Sequence, residues 1–328
     1  MKNKIKFTLP IIALIILILS FIASLSFGAS GLGFTDMLKS FFDPDSVEGR
    51  ILWYVRFPRT ICTIMSGAAL AVAGALIQSV LYNPLASPNI IGVNAGAGLG
   101  TVLCLAFIPA ASAFAVGGAA FLGAIAATAV VYLISKGAGL SKMSLVLAGI
   151  AVSSLFTAAI DTITTLVPDC LPASNQFKIG GAANVTFEMV IPLLIIVPVG
   201  IILSMLFHHE LDLLSLGNET AKSLGVDPKK WRLFFLGLSC LLAAGAVSVM
   251  GLIGFVGLIV PHIVKMLAGS ENRNVIPLCA LFGASFVTIC DLGARTIFAP
   301  FEIPVGILLS FLGAPFFLYL LIRRRIHD

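Results

Sequence analysis

Apolar residues fill the chain in long runs, separated by short segments that are polar or rich in proline and glycine. The extreme case is residues 60–135, which hold 76 residues without one Asp, Glu, Lys, Arg or His. A helix needs about 20 apolar residues to cross the hydrocarbon of a bilayer, so this stretch alone makes room for about three crossings and two uncharged turns. Read along the whole chain, the runs predict ten helices over 7–27, 60–81, 90–107, 111–134, 144–166, 190–207, 233–250, 253–266, 275–290 and 305–322. The division between the seventh and eighth rests on Gly251, Gly254 and Gly257 alone, because no charge separates them.

Composition makes the membrane reading the only one available. Hydrophobic residues are 59% of the chain and charged residues 11%, with a mean hydropathy of +1.09. Ordinary soluble domains carry roughly 45–50% and about 25%. This excludes a soluble globule, a disordered chain, a coiled coil and a disulfide scaffold, and predicts an all-α polytopic membrane protein surrounded by lipid. The net charge of +5 comes from scattered residues and gives no basic patch for nucleic acid. Of the six cysteines only Cys170 falls in a predicted loop, so paired cysteines are not expected. Lys2, Lys4 and Lys6 precede the first run, but its apolar core exceeds the roughly 7–15 residues of a signal peptide, which favours a retained helix. With the N-terminus inside, 14 of the 20 lysines and arginines fall on the inner side. That bias predicts both termini in the cytoplasm.

Four segments carry more than membrane filling. The inner loop at 208–230 contains Leu211, Leu213, Leu214, Leu216 and Leu224, an apolar set on a polar connection. Asn218 is placed to cap a short helix with Glu219 in its first turn and Ala221 inside it, and Gly217 precedes it. Gly225 is placed to end that helix in a left-handed conformation, and Asp227-Pro228 to open the next. Such a loop either docks a partner or packs on its own bundle. On the outer side Arg56, Arg59 and Arg295 belong to the cationic minority; they suit bidentate pairing with carboxylates, or else snorkelling to the interface. The inner turn Tyr82–Pro88 carries Pro84 and Pro88 and serves geometry. In the run from Gly251 to His262, Pro261 removes a helical hydrogen bond and predicts a bend. Gly92, Gly96 and Gly100 repeat every fourth residue, a face that lets helices approach closely in lipid; Gly254 and Gly257 are further packing or pathway candidates. Asp161 is the one carboxylate well inside a predicted span, although near its outer end, while Asp291 and Glu302 sit at the outer ends of the last two.

No phosphate loop, no His-Glu-x-x-His zinc motif and no catalytic pair occurs, so neither catalytic residues nor metal ligands are predicted. A pathway through these residues would be weakly polar, which suits a bulky solute better than a naked ion.

Taken in order, the motifs resemble the iron–siderophore and vitamin B12 permeases of ABC importers. The residues that carry the likeness are Arg56-Phe57-Pro58-Arg59, the run Gly67–Gln78, Asn83-Pro84-Leu85-Ala86 with Pro88 and Gly92, the stretch Leu216–Val226, Gly254–His262, then Asp291, Arg295, Glu302-Ile303-Pro304 with Gly306, and Gly313-Ala314-Pro315-Phe316. The resemblance implies a type II importer subunit of ten transmembrane helices forming one permease domain over 1–328, in the plasma membrane of a bacterium or archaeon. It implies a second permease subunit, identical or a paralogue, two cytoplasmic ATP-binding cassette subunits that use ATP and magnesium, and an extracytoplasmic solute-binding protein. No cofactor is implied for this chain. The loop at Leu211–Gly225 becomes the element seated in the ATPase, and Arg56, Arg59 and Arg295 become contacts for glutamates of the binding protein. One departure is the outer stretch Phe177-Lys178-Ile179-Gly180-Gly181, where family members often have a tryptophan before the glycines. The expected cargo is a ferric siderophore, then haem, then cobalamin. A gradient-driven carrier is the competing reading, but it would require a midplane ion site, for which Asp161 is a poor candidate.

Overall fold

The computed structural model describes residues 2–28, 34–139 and 141–325. They form fifteen α-helices with no strand among the described residues: α1 (Lys2–Ser26), α2 (Phe34–Phe42), α3 (Val47–Ile51), α4 (Phe57–Val80), α5 (Val93–Phe107), α6 (Ala113–Gly137), α7 (Lys142–Leu166), α8 (Leu171–Ile179), α9 (Phe187–Leu206), α10 (His208–Leu214), α11 (Asn218–Ser223), α12 (Pro228–Met250), α13 (Val256–Ala268), α14 (Asn272–Thr296) and α15 (Val305–Arg325). Seven helical stretches among them are long and apolar enough to cross a membrane, and three more apolar helices (α5, α13 and the apolar part of α15) are shorter. Each of the ten predicted runs therefore contains a helix, but not all reach a full crossing length. One wide turn at Leu52–Arg56 joins α3 to α4, so the second spanning stretch runs from Val47 to Val80.

The bundle is built around α4. Of its most apolar stretch 83% of residues are buried, against 28% for α6, α7 and α9. It packs against α14, α12, α13 and α9, while α5, α6 and α7 form a second group attached through α12. The sequence of α4 explains its position: Gly67, Ala68, Ala69, Ala71, Ala73, Gly74 and Ala75 leave almost no side chain to keep neighbours away. At the α4–α14 crossing, a methyl group on Gly67 or Gly283 would overlap the other's carbonyl. Gly74 meets Gly257 of α13 in the same way. In lipid there is no hydrophobic drive between helices, so this backbone contact is the attractive force.

The expected glycine face of α5 is real but shared out. Gly96 and Gly100 pack on Gly123 and Ala119 of α6. Gly92 has φ +82° and sits at the start of α5, where a side chain would be strained. Gly254 departs from the expectation, because a methyl group there would meet nothing; it lies in the link between α12 and α13. Pro261 lies inside α13, which continues through it from Val256 to Ala268. The carbonyl that Pro261 leaves without a helical donor is that of Gly257. Gln78 Nε2 approaches it at 3.4 Å, so α4 repairs the gap in α13. All six cysteines are free.

Gly283→Val would force α14 away from α4 along its whole length. The expected cost is about 1–3 kcal/mol, as for other overpacked cores. A lowered thermal unfolding midpoint in mild detergent checks it, with the exposed Gly237→Ala as control.

Candidate functional site

Two polar assemblies lie at opposite ends of the α4–α14 pair. At one end, the first turn of α4 and the last two turns of α14 bring Arg59, Asp291 and Arg295 together. Arg59 Nε lies 3.0 Å from Asp291 Oδ2 and Nη2 lies 3.0 Å from Oδ1. Its remaining Nη1 donates to Glu302 Oε2 at 2.7 Å. Arg295 Nε is 3.2 Å from Asp291 Oδ2, and its Nη2 donates to Ser24 Oγ at 2.8 Å. Ser24 Oγ in turn shares a hydrogen bond of 2.8 Å with Thr60 Oγ1. Arg56 Nη1 reaches the carbonyls of Leu25 and Ser26, each at 2.7 Å. The result fastens the end of α1 to α4, α14 and the segment before α15.

This arrangement differs from the expected one. Arg56, Arg59 and Arg295 are 5%, 5% and 2% exposed, and Asp291 is wholly buried. Their charges are met inside the protein rather than turned outward. Two carboxylates and two of the guanidiniums neutralise one another, which is what allows ions to sit where water is scarce. Asp291 and Glu302 are the partners that sequence reasoning left without a role. The Asp291–Arg295 spacing, four apart at a helix end, was the available signal. Asp161 lies elsewhere, 65% exposed, with Lys178 Nζ at 3.9 Å.

Beside the arginines opens a cavity of about 640 Å³, bounded by α5, α6, α8 and the start of α15. Arg59, Glu302, Asn175, Gln176 and Asn184 supply its polar groups. Thr101 Oγ1, buried and without a hydrogen-bond partner, also lines it. Backbone bonds interlock its floor: Gly181 N donates to Met250 O at 2.8 Å, Leu252 N to Phe177 O at 2.9 Å, and Gly306 N to Gly180 O at 3.2 Å. The departure noted at Phe177–Gly181 therefore falls on this interlock.

At the other end, the loop forms two short helices, α10 and α11, of which α11 is the one expected from its local punctuation. Gly225, with φ +84°, ends α11: its N–H donates to Lys222 O and that of Val226 to Ala221 O, the paired pattern that satisfies terminal carbonyls. Asp227 caps α12 through Lys229 N at 3.0 Å, with Pro228 in the first turn. The cap of α11 is shifted by one residue. Gly217, with φ +104°, occupies it, and Asn218 opens the helix and accepts from Arg232 Nη2 at 2.7 Å. The apolar set divides in two. Leu211, Leu214 and Ala221 are buried against the bundle, Leu213 is half-buried, and Leu216 and Leu224 are exposed, flanking α11 with Glu219 also outward.

Residues 16–323 match the FecCD transport family. The chain belongs to that family. It is 42% identical over 311 residues to the Fe(3+)-citrate import system permease protein YfmD of Bacillus subtilis, covering 94% of this chain and 93% of that one. It is 34% identical over 317 residues to the hemin transport system permease protein HmuU of Yersinia pestis, covering 95% and 94%. Its fold superposes on a solved metal-chelate type ABC transporter in an inward-facing conformation with a TM-score of 0.85 at 30% identity, covering 98% of this chain and 99% of that one. This FecCD protein is thus a multi-pass membrane permease of the bacterial and archaeal ABC importer type, similar to the vitamin B12 permease class. As a permease subunit it carries no ATPase activity and binds no cofactor of its own.

Asp291→Leu would leave Arg59 and Arg295 buried without their shared carboxylate. The expected loss is about 3–5 kcal/mol of stability. Glu302→Gln, at a carboxylate one third exposed, should cost about 1 kcal/mol or less. Thermal unfolding of the two purified variants tests the ranking, and equal losses would contradict the assignment of Asp291 as the keystone.

Proposed function

We propose that this permease moves a ferric chelate into the cytoplasm by alternating access, with a separate ATPase seated on the α10–α11 loop. The observation that carries this is the division of that loop. Leu211 and Leu214 anchor it to the bundle, while Leu216 and Leu224 stand exposed on either side of a rigidly capped helix. Large exposed leucines on a well-ordered polar connection suit a partner's cleft. Leu211, Leu213, Leu214, Leu216, Gly217, Asn218, Glu219, Ala221, Leu224 and Gly225 then make one coupling unit, its inner half holding position and its outer half making contact.

The remaining features fit one permease domain of ten membrane helices, with both termini cytoplasmic by the lysine and arginine bias. Two permease subunits, two ATPases and one binding protein complete the importer. Arg56, Arg59 and Arg295 mark the face on which the binding protein sits. Because these arginines are engaged internally, a docking carboxylate acts by exchange with their present acceptors. Asp161, the glycines at 92, 96, 254 and 257 and Pro261 belong to the pathway or to the packing that shapes it. A ferric siderophore or ferric citrate is the first cargo and haem the second, in keeping with relatives named for ferric citrate, ferric hydroxamate and hemin.

Purification of the tagged chain in mild detergent should bring down an ATPase subunit, identified by mass spectrometry. A preparation without one, after cross-linking in intact membranes, would sink this reading. Leu216→Asp should abolish the association, since it places a charge in an apolar contact. Arg56→Gln should weaken capture of the binding protein about tenfold, as removal of one charge pair does at an interface. Unchanged affinity by surface plasmon resonance would remove Arg56 from the docking face.

A further inference from the structure

The helix α14 begins without a cap from its own residues. Glu271 stands at the cap position, but its side chain makes no capping hydrogen bond there, and its Oε2 accepts from Asn274 Nδ2 instead. The cap comes from another helix. Asp212 of α10 places Oδ1 3.0 Å from the backbone N of Asn272 and 2.7 Å from its Nδ2. A carboxylate at this point meets the positive end of the helix dipole as well as two donors. Asn272 is 1% exposed, and its Oδ1 accepts from Ser79 Oγ, near the end of α4, at 3.4 Å. One carboxylate on the loop is thereby joined to the inner ends of the two helices whose outer ends meet at Arg59 and Asp291.

We propose that Asp212 is the positioning residue that transmits displacement of the α10–α11 loop into the α4–α14 pair. The inference rests on the reading of that loop as the ATPase seat. Leu211, wholly buried next to Asp212, makes α10 a lever held at its base. A move of α10 pulls the first turn of α14 through two short hydrogen bonds, and the crossing at Gly67 and Gly283 obliges α4 to follow. What matters is the acceptor oxygen and its position, so an amide in place of the carboxylate preserves the link.

The test uses the whole importer, permease with its ATPase and binding protein, in proteoliposomes supplied with ferric citrate. ATP hydrolysed per solute transported is compared for the wild type, Asp212→Asn and Asp212→Leu. Asp212→Leu is expected to keep the ATPase bound and hydrolysing while transport falls at least about tenfold, the factor expected for losing even one of the two hydrogen bonds the carboxylate accepts. Asp212→Asn is expected to stay near the wild-type ratio. A wild-type ratio in Asp212→Leu overturns the proposal, as does an Asp212→Asn variant as uncoupled as the leucine. If Asp212→Leu loses the ATPase altogether, Asp212 is a docking residue and transmission through it is refuted. If Asp212→Leu does not insert, Asn272→Ala decides. It removes the Nδ2 donor without touching the loop, and unaltered coupling in it overturns the proposal. Leu216→Asp keeps the two readings apart. If that variant retains its ATPase, the loop is not the seat, whatever the Asp212 series shows.

Discussion

The bundle depends on how closely α4 and α14 approach. Two glycines, Gly67 and Gly283, let the backbones touch. With no side chain to hold neighbours off, α12 and α13 also reach the α4 backbone. Ser239 Oγ donates to Ala73 O at 2.9 Å, and Gly257 lies on Gly74. A helix so largely enclosed has little surface left outside protein contact. Any motion it makes is therefore shared with the helices packed on it.

The polar ends of the pair reflect a second constraint. A membrane interior satisfies no stray donor or acceptor, so polar groups must find partners within the protein. Asp291 accepts from Arg59 and balances the charge of Arg295, and Glu302 takes up the remaining nitrogen of Arg59. At the opposite end Asp212, Asn272 and Ser79 are joined by hydrogen bonds. Between the two ends, Thr63 and Thr288 share a hydrogen bond across the pair at 3.1 Å. The pair is apolar and close-packed along its length and fixed by directional bonds at its tips. That combination suits a rigid element more than a flexible one.

Periodicity and charge spacing made the helices legible, since a run of apolar residues between charges can satisfy its backbone in lipid only as a helix. The weakest division, between α12 and α13, was also readable from the glycines at 251 and 254; Gly251 ends α12 with φ +72°, while Gly257, the third of the set, packs inside α13. The caps at Gly225 and Asp227 followed from local chemistry alone. What sequence did not reveal was pairing across long separations. Arg56 and Arg59 looked like groups waiting for a partner because their acceptors lie far away in the chain or on the backbone. The hydrogen bond lost at Pro261 was legible, but its replacement comes from Gln78, on another helix. Asp212 looked like one more loop carboxylate. Each of these is decided by tertiary contact, which a pattern read along one strand of sequence does not contain.

The distance in sequence between Arg59 and Asp291 has a consequence for how the protein is made. The two are 232 residues apart. At the usual pace of synthesis that is a delay of roughly 10–50 s during which the arginine has entered the membrane region and its carboxylate does not yet exist. A guanidinium is costly to leave in hydrocarbon, but at the edge of an apolar run its long side chain can reach toward the lipid headgroups. Arg59 stands at such an edge, immediately before the uncharged stretch 60–135. Its place in the first turn of α4 thus serves the unfinished chain as well as the finished one: the ion pair with Asp291 is postponed until the last helices arrive.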